Sequence, residues 1–433
     1  MVLKASAIEL PGTEGLQFSP RFWLFTISLG LVWITLHPFD DLSLPSYEDV
    51  HSGREFWTYA AFTIVAAMCW LTLRRSDAVA LRALAVPSNL VMLAWVAISV
   101  VASTDFLTSL KRVSLWIAVT IVSASLFLLP RGHNEFARGL AVMTVLVLAL
   151  SYFGVFFTPD VAIHHAGDVV EARLNGDWRG LYEHKNIASG MCAVFVFIGF
   201  YLWSAGRMRS GAVIGISAAI FLAQTHGKSS IILCVAAIVV PLVVERRIRS
   251  NWTQHIALLT PLVVLLLIGV GSTLSPRVAG LFGALTADES FTGREDIWRF
   301  AASKIIERPL WGYGPGAFWG GDAVRFDGAD PTIWARAVAH AHNSFLDTAL
   351  AMGIPGLVLA LWALVLQPLR DYRAASLRDA DGTIRILMLR IWIFGLYLSA
   401  FDTIFFQQSD PIWIMFLFAI FSLRYLACFK VAL

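Results

Sequence analysis

The chain has 433 residues, of which 58% are hydrophobic and only 15% charged, with a formal net charge of +3. Soluble domains average about 25% charged residues, so an ordinary soluble globular protein is excluded. The slight positive excess is far too small for an electrostatic nucleic-acid binder, and four cysteines in so long a chain exclude a disulfide-stapled scaffold.

Apolar runs of roughly 15–24 residues recur from end to end, long enough to cross a hydrocarbon core about 30 Å thick. They fall at 22–39, 57–73, 88–104, 113–130, 139–156, 187–204, 211–224, 229–244, 255–271, 344–367, 386–406 and 411–427. The pattern predicts an all-α, polytopic membrane protein of about 12 transmembrane helices, forming a single membrane domain over residues 1–433. Every second loop is basic: Arg74, Arg75 and Arg82, then Arg131 and Arg138, then Arg207 and Arg209, then Arg246, Arg247 and Arg249, then Arg370 to Arg390. The bias of Lys and Arg toward the cytoplasmic side places those loops and both termini inside. The first span suffices to target the chain to the membrane. The four cysteines have no metal-ligand spacing and are assigned to packing.

Two of the intervening loops are long, 157–185 and 272–342, and they hold most of the unexplained polar residues. A proton-coupled transporter is expected to bury ionisable groups at mid-bilayer, where each costs at least about 2.5–3.5 kcal/mol. Here such groups gather at the outer ends of the spans, which favours chemistry at the membrane surface.

In chain order, "RGLYEHKNIASG" (179–190) puts Arg179, His184, Lys185 and Asn186 where the chain re-enters the membrane. Arg173, Arg179 and His184 suit a basic lip for an anion. Interfacial anchoring by Lys185 and helix capping by Asn186 is the alternative. "THGKSS" (225–230) holds Lys228 close to the surface beside two serines, a cation and donors for a phosphate, or else a snorkelling lysine. In "TGREDIWRFAASKIIERP", Thr292 and Glu295 form a capping box, predicting an amphipathic helix over about 293–307. Ile297, Phe300, Ala301 and Ile305 would form its apolar face, lying on or against the outer membrane surface. Arg294 stands in the first turn, where a cation opposes the helix dipole unless an anion binds there or Glu295 or Asp296 pairs with it.

"PLWGYGPGAFWGG" (309–321) combines turns with aromatic faces suited either to sugar stacking or to the membrane interface. "HAHNSFLDTALAMGIPG" (340–356) opens a span with His340, His342 and Asn343, and glycine follows at 353 and 356. Asp379 and Asp381 in "RDADG" read as solvated linker, and no metal or other cofactor is expected.

Taken together, Arg179 with "HKN", "THGKSSI", "GREDIW", "PLWGYGPGAFW" and the His342-x10-Gly353 spacing resemble the O-antigen ligase and polymerase superfamily of bacterial envelope glycosyltransferases. The resemblance covers about 170–360 by motif. It implies a C-type glycosyltransferase fold in the inner membrane, acting without metal toward the periplasm. The implied donor is a glycan on undecaprenyl diphosphate, and the acceptor is a glycan or the lipid A core. By the same resemblance His342 is the catalytic base and Arg294 binds the diphosphate. Lys228 and Arg179 are expected to join Arg294 there, with His184, Lys185 and Asn343 as further substrate-binding candidates. Ligases of the superfamily carry Arg-x3-Leu where this chain has Lys228 and Ile232. That departure, with "GYGPGAFW", points toward the exopolysaccharide repeat-unit polymerases. An O-antigen ligase and a flippase of lipid-linked oligosaccharides are the competing readings.

Overall fold

The computed structural model describes residues 19–34, 37–42, 47–168, 174–248, 251–286, 294–319, 321, 324, 339–378 and 382–430. Arg173, Arg249, Thr292, Asp379 and Asp381, named above, lie outside them. Lipid offers the backbone no hydrogen-bond partner, so a chain this apolar satisfies its amides within helices. In order these are α1 (Pro20–Ile34), α2 (Tyr47–Ser76), α3 (Ala78–Leu84), α4 (Pro87–Val101), α5 (Phe106–Leu126), α6 (His133–Phe157), α7 (Pro159–Ala162), α8 (Lys185–Ser204) and α9 (Met208–Gln224). Then come α10 (Lys228–Arg247), α11 (Asn251–Leu266), α12 (Ser272–Leu274), α13 (Pro276–Thr286), α14 (Arg294–Glu307), α15 (Ser344–Leu361), α16 (Gln367–Leu377), α17 (Gly382–Leu398) and α18 (Pro411–Cys428). Among the described residues no strand forms. The protein is an all-helical, multi-pass membrane protein.

Among the described residues, eight helical stretches are long and apolar enough to cross a membrane, or nine if α3 and α4, bent by 67°, are one span. Helices α1 and α9 are shorter apolar helices. The run 386–406 needs correction: its helix ends at Leu398, and 399–410 is an irregular turn. Phe401, Ile404 and Phe405 are apolar because they are buried in the core, not because they span. Helices α8, α17 and α18 are buried along most of their length and form the centre of the bundle.

Polar contacts sort the loops into two ends. At the basic end Arg21 pairs with Asp77, Arg424 with Asp371, and Arg385 with Glu245. At the opposite end Phe39 N–H donates to the Leu181 carbonyl, Thr104 to Tyr313, Trp178 to Gln224 and Ser344 to Ser399. The basic loops therefore gather at one end, and the polar motifs at the other.

Helix α15 is broken at Gly353, which adopts φ 69° and ψ −178° inside it. A Cβ at that position would lie 2.2 Å from the Leu310 carbonyl oxygen. The break, with Pro355 unable to donate, leaves carbonyls of the preceding turn open. Tyr313 N–H fills Leu350 O at 2.7 Å and Gly314 N–H fills Ala351 O at 3.0 Å. The Trp95 indole fills Met352 O at 2.9 Å. The Gly-aromatic loop 309–319 is thus laid along α15.

Helix α14 runs from Arg294 to Glu307, within the range that the amphipathic pattern predicts. Its buried residues are Ile297, Trp298, Ala301 and Lys304. Trp298 is fully buried and donates Nε1–H to the Ala341 carbonyl at 2.9 Å. Through this face the helix packs on protein, against α15 and loop 309–319.

Two outcomes check this description. Gly353→Ala forces a Cβ into a left-handed position against a carbonyl and lowers stability by about 1–3 kcal/mol. Thermal unfolding in detergent measures this, and an unchanged midpoint contradicts the break. Cysteines placed at the exposed Phe157 and Leu377 react with an impermeant reagent from opposite faces of the membrane. Labelling of both from one face overturns the assignment of ends.

Candidate active site

The site is assembled by joining the start of α15 to the turn after α17. Asn343 caps α15, its Oδ1 accepting from Phe345 and Leu346 N–H at 3.0 Å each. Its Nδ2 donates to the Ala400 carbonyl at 2.9 Å. Ser344 Oγ donates to Asp402 O at 3.0 Å and accepts from Ile404 N–H at 2.7 Å. One turn on, Asp347 accepts from the Trp319 indole at 2.7 Å, from Ala341 N–H at 2.9 Å and from Thr403 Oγ1 at 2.5 Å. Asn343, Ser344, Ala341 and Thr403 are buried, where an unmet donor or acceptor is costly. The result fixes 340–344 against 399–404.

That frame brings His342 and Asp402 together, with His342 Nδ1 3.6 Å from Asp402 Oδ1. His342 has φ 50°, in the left-handed region, a conformation that costs a residue with a Cβ about 1–2 kcal/mol. Strain of this kind persists only where surroundings dictate it, and here it turns the imidazole toward Asp402. His340 stacks its ring edge-on, with centroids 4.2 Å apart, and its Nδ1 accepts from His342 N–H at 3.4 Å. Burial, reinforced by the positive charge of His342, pushes the His340 pKa down to about 4. Burial disfavours the Asp402 carboxylate, but the imidazoles of His342 and His340 and the Arg294 guanidinium outweigh it. Asp402 is held well below the usual carboxylate range. Arg294 Nη1 donates to Phe401 O at 2.9 Å, which seats the guanidinium beside this pair. Its neighbours Glu295 and Asp296 are instead engaged by Arg299, at 3.1 and 3.3 Å.

His340, His342 and Asp402 each present a ligand atom within 4.8 Å of the others. Two imidazoles and a carboxylate are donors suited to a borderline ion such as Zn²⁺. No other cluster of this kind occurs among the described residues.

The remaining candidates have different settings. Arg179 is buried and donates to the carbonyls of Tyr182 (3.1 Å) and Asp40 (2.6 Å), pinning the 37–42 turn. His184, not Asn186, caps α8: its Nδ1 accepts from Asn186 N–H at 3.0 Å. Its charge also reaches His340. Lys185 pairs with Asp177 at 2.5 Å, and Asp177 holds His226 at 2.7 Å on its other oxygen. His164, buried, donates Nδ1–H to Asp168 at 2.9 Å and accepts from Lys185 N–H at its Nε2 at 3.3 Å. Lys228 begins α10, is exposed, and has no ion-pair partner among the described residues. Asn343 is fully buried, with both amide atoms committed to the frame. The structure therefore brings Arg294, His342 and Asn343 together, sets His184 within electrostatic reach, and turns Arg179 inward.

Residues 211–361 match the family model described as O-antigen ligase. That match supports the O-antigen ligase superfamily for this segment. It holds Lys228, Arg294, His340, His342, Asn343 and Gly353, whereas Arg179, His184, Lys185 and Asp402 lie outside it. A Rickettsia conorii protein bearing the provisional name polysaccharide ligase is 38% identical over 80 residues. The alignment takes in 18% of this chain and 19% of that protein, so it spans about a fifth of the relative's length. With its apolar helices, the superfamily segment marks a multi-pass bacterial membrane protein.

Sequence reasoning missed Asp402 as a partner of His342, because it reads as the tail of an apolar span. The available signal was a lone carboxylate between "SAF" and "TIFF", too costly to leave in lipid unless paired. Asn343→Ala removes a cap and orphans the buried Ala400 carbonyl. It lowers stability by about 1–2 kcal/mol, read as a fall in the unfolding midpoint of the purified protein. An unaltered midpoint refutes the joining role of Asn343.

Proposed function

We propose that the protein is a glycosyltransferase that takes a glycan from a polyprenyl diphosphate, undecaprenyl diphosphate in bacteria, and joins it to a sugar hydroxyl. Its site end faces the periplasm from the inner membrane, and no partner nucleic acid enters this reading. The observation that carries it is the His342–Asp402 pair seated beside Arg294 at the polar end of an apolar bundle. The superfamily match over 211–361 supports the same chemistry.

In this reading the acceptor hydroxyl gives its proton to His342 as its oxygen attacks the anomeric carbon. The bond from that carbon to the diphosphate oxygen breaks, and the diphosphate leaves with the electron pair. A positioned base contributes about 10²–10⁴-fold. Asp402, held ionised, stabilises the imidazolium formed at 3.6 Å. Arg294 and the exposed Lys228 supply positive charge to the leaving diphosphate, as charge-assisted bonds worth about 1.5–3 kcal/mol each. Arg179, Lys185 and Asn343 act at one remove, by holding the segments that carry these groups. His184 acts by its charge on His340.

The family description and the relative's name favour a ligase, with the lipid A core as acceptor. Lys228 in place of a ligase arginine, and the aromatic loop beside α15, favour polymerisation of exopolysaccharide or O-antigen repeat units. Surface glycans of a deletion strain separate the two. Single repeat units accumulate when a polymerase is lost, and long unattached lipid-linked chains when a ligase is lost. A flippase is tested with purified protein and lipid-linked donor: an enzyme releases undecaprenyl diphosphate, and intact donor throughout would falsify the enzyme reading.

His342→Ala lowers turnover by about 10²-fold or more with donor binding retained, and Asp402→Asn by about tenfold or more. Parallel turnover and binding measurements decide this; loss of binding alone makes His342 a phosphate ligand. Lys228→Ala and Arg294→Ala each weaken donor binding, and an unchanged donor affinity removes that residue from the diphosphate site. His340 titrates at about 4, so it is neutral above that pH and charged only below it. His340→Gln therefore leaves the shape of the pH–rate profile between about pH 5 and 8 unmoved. A displaced acid limb contradicts the burial of His340.

A further inference from the structure

A cavity of about 380 Å³ opens on the far flank of His340, between α5, α15 and the loop 309–319. Its volume falls within the range of small-molecule sites, about 300–1,000 Å³. Arg112, His340, Asp347 and Gln407 line it together with the aromatic faces of Trp116, Trp319 and Phe405, and the Asp347 carboxylate is already engaged by Trp319, Ala341 and Thr403. Arg294 and Lys228, the cations of the diphosphate, do not line it. The cavity thus carries a cation of its own.

Arg112 is built into place. It stands in the second turn of α5, and loop 309–319 passes over it at Gly316, whose φ is 74°. A Cβ on Gly316 would lie 2.7 Å from Arg112 Cγ and Nε, so only glycine leaves room for this side chain. Gln408, its amide turned to suit, accepts from Arg112 Nε at 2.9 Å and Nη1 at 3.3 Å. Glu55 and Tyr59 of α2 act on Arg112 by charge, yet no salt bridge to Arg112 closes among the described residues. Nη2 has no hydrogen-bond partner there. A guanidinium largely withdrawn from water, oriented by an amide and left without a carboxylate, is costly unless an anion arrives.

The aromatic lining narrows what that anion belongs to. Trp116 lies against Phe406 with ring centroids 5.0 Å apart, and Trp319 meets Phe318 edge-on at 4.9 Å. Trp319 is further fixed through its bond to Asp347. Rigid indole faces match the apolar C–H face of a pyranose, and a planar guanidinium matches a carboxylate in two-pronged fashion. We propose that this cavity receives a sugar bearing a carboxylate or comparable anionic substituent, with Arg112 as its counter-ion, so that the protein acts on an acidic glycan. The proposal rests on the glycan-transfer reading, but its test needs no turnover.

The test is binding to the purified full chain in detergent, followed by quenching of tryptophan fluorescence. The probes are a disaccharide containing glucuronic acid, its glucose counterpart, and undecaprenyl phosphate. Wild type is expected to prefer the acidic disaccharide by about tenfold or more. Arg112→Gln erases that preference while leaving undecaprenyl phosphate binding unchanged, and Arg112→Lys keeps part of it. The lysine variant also guards against a folding defect, because it retains charge beside Gln408. Equal binding of the two disaccharides by wild type, or no binding of either, overturns the proposal. So does an Arg112→Gln protein that loses undecaprenyl phosphate but keeps the acidic sugar, since Arg112 then serves the lipid. If the acidic sugar binds as expected and no transfer is ever seen, the cavity stands and the transferase reading falls.

Discussion

Everything at the polar end depends on one junction, the bonding of Asn343 and Ser344 to the turn after α17. A helix N-terminus has amide donors with no partner, and an interrupted apolar run has carbonyls in the same position. Asn343 meets both needs with a single side chain, one atom facing each segment. The turn it captures carries Asp402, and the residue before it is His342. Two residues from distant parts of the chain thereby become a pair with a defined spacing. Without the junction, a carboxylate near the membrane surface would have neither its histidine nor its arginine.

A second constraint acts from the other end of the same helical segment. The cap at Asn343 and the break at Gly353 lie ten positions apart, roughly 15 Å of helix at 1.5 Å per residue. Carbonyls freed at the break are taken by Tyr313, Gly314 and Trp95, which lays the Gly-aromatic loop along α15. That loop then roofs the cavity and leaves space over Arg112 at Gly316. The histidine-to-glycine spacing therefore has a mechanical meaning: it sets the distance from the His342–Asp402 pair to the hinge on which the cavity wall is hung.

The helices were readable because lipid permits little else: apolar length located most of the helical stretches, and the arginines sorted the loops into two ends, although the run 386–406 joined a helix to a buried turn. Lys228 and Arg294 stood out for a similar reason, since a cation beside an interface or in the first turn of a helix is out of place, and their roles belong to the proposed reading. What could not be read depended on tertiary contact. Asp402 looked like the end of a span because Phe401, Ile404 and Phe405 are as apolar in a buried turn as in a helix. Arg179 looked like part of an exposed lip, yet it is buried against carbonyls of Tyr182 and Asp40, a use of arginine that leaves no trace in local sequence. Asn186 looked like a cap because asparagine usually is one, while His184 does that work with its ring nitrogen. Arg112 sat beside Lys111 at a span boundary, where snorkelling is the ordinary explanation, and only the fold turns it toward a cavity.

The charges of the resting site also limit what it can bind. Arg294 and Asp402 sit together with opposite charge, and His340 is kept neutral by burial, so the frame around His342 carries little net charge. Such a cluster is tolerable in surroundings of low dielectric, where a lone ion is not. In the proposed reading, a diphosphate entering there meets one cation already shared with a carboxylate, which is too little to match its own charge. The balance has to come from a group that is solvated while the site is empty and whose side chain reaches in when it is filled. Lys228 has that character: it is exposed, begins α10 at the same end of the bundle, and has no ion pair to break among the described residues. A flexible ammonium in that position costs little at rest, and its charge becomes effective as the donor displaces water around it. In the proposed reading the arginine orders the site and the exposed lysine completes it.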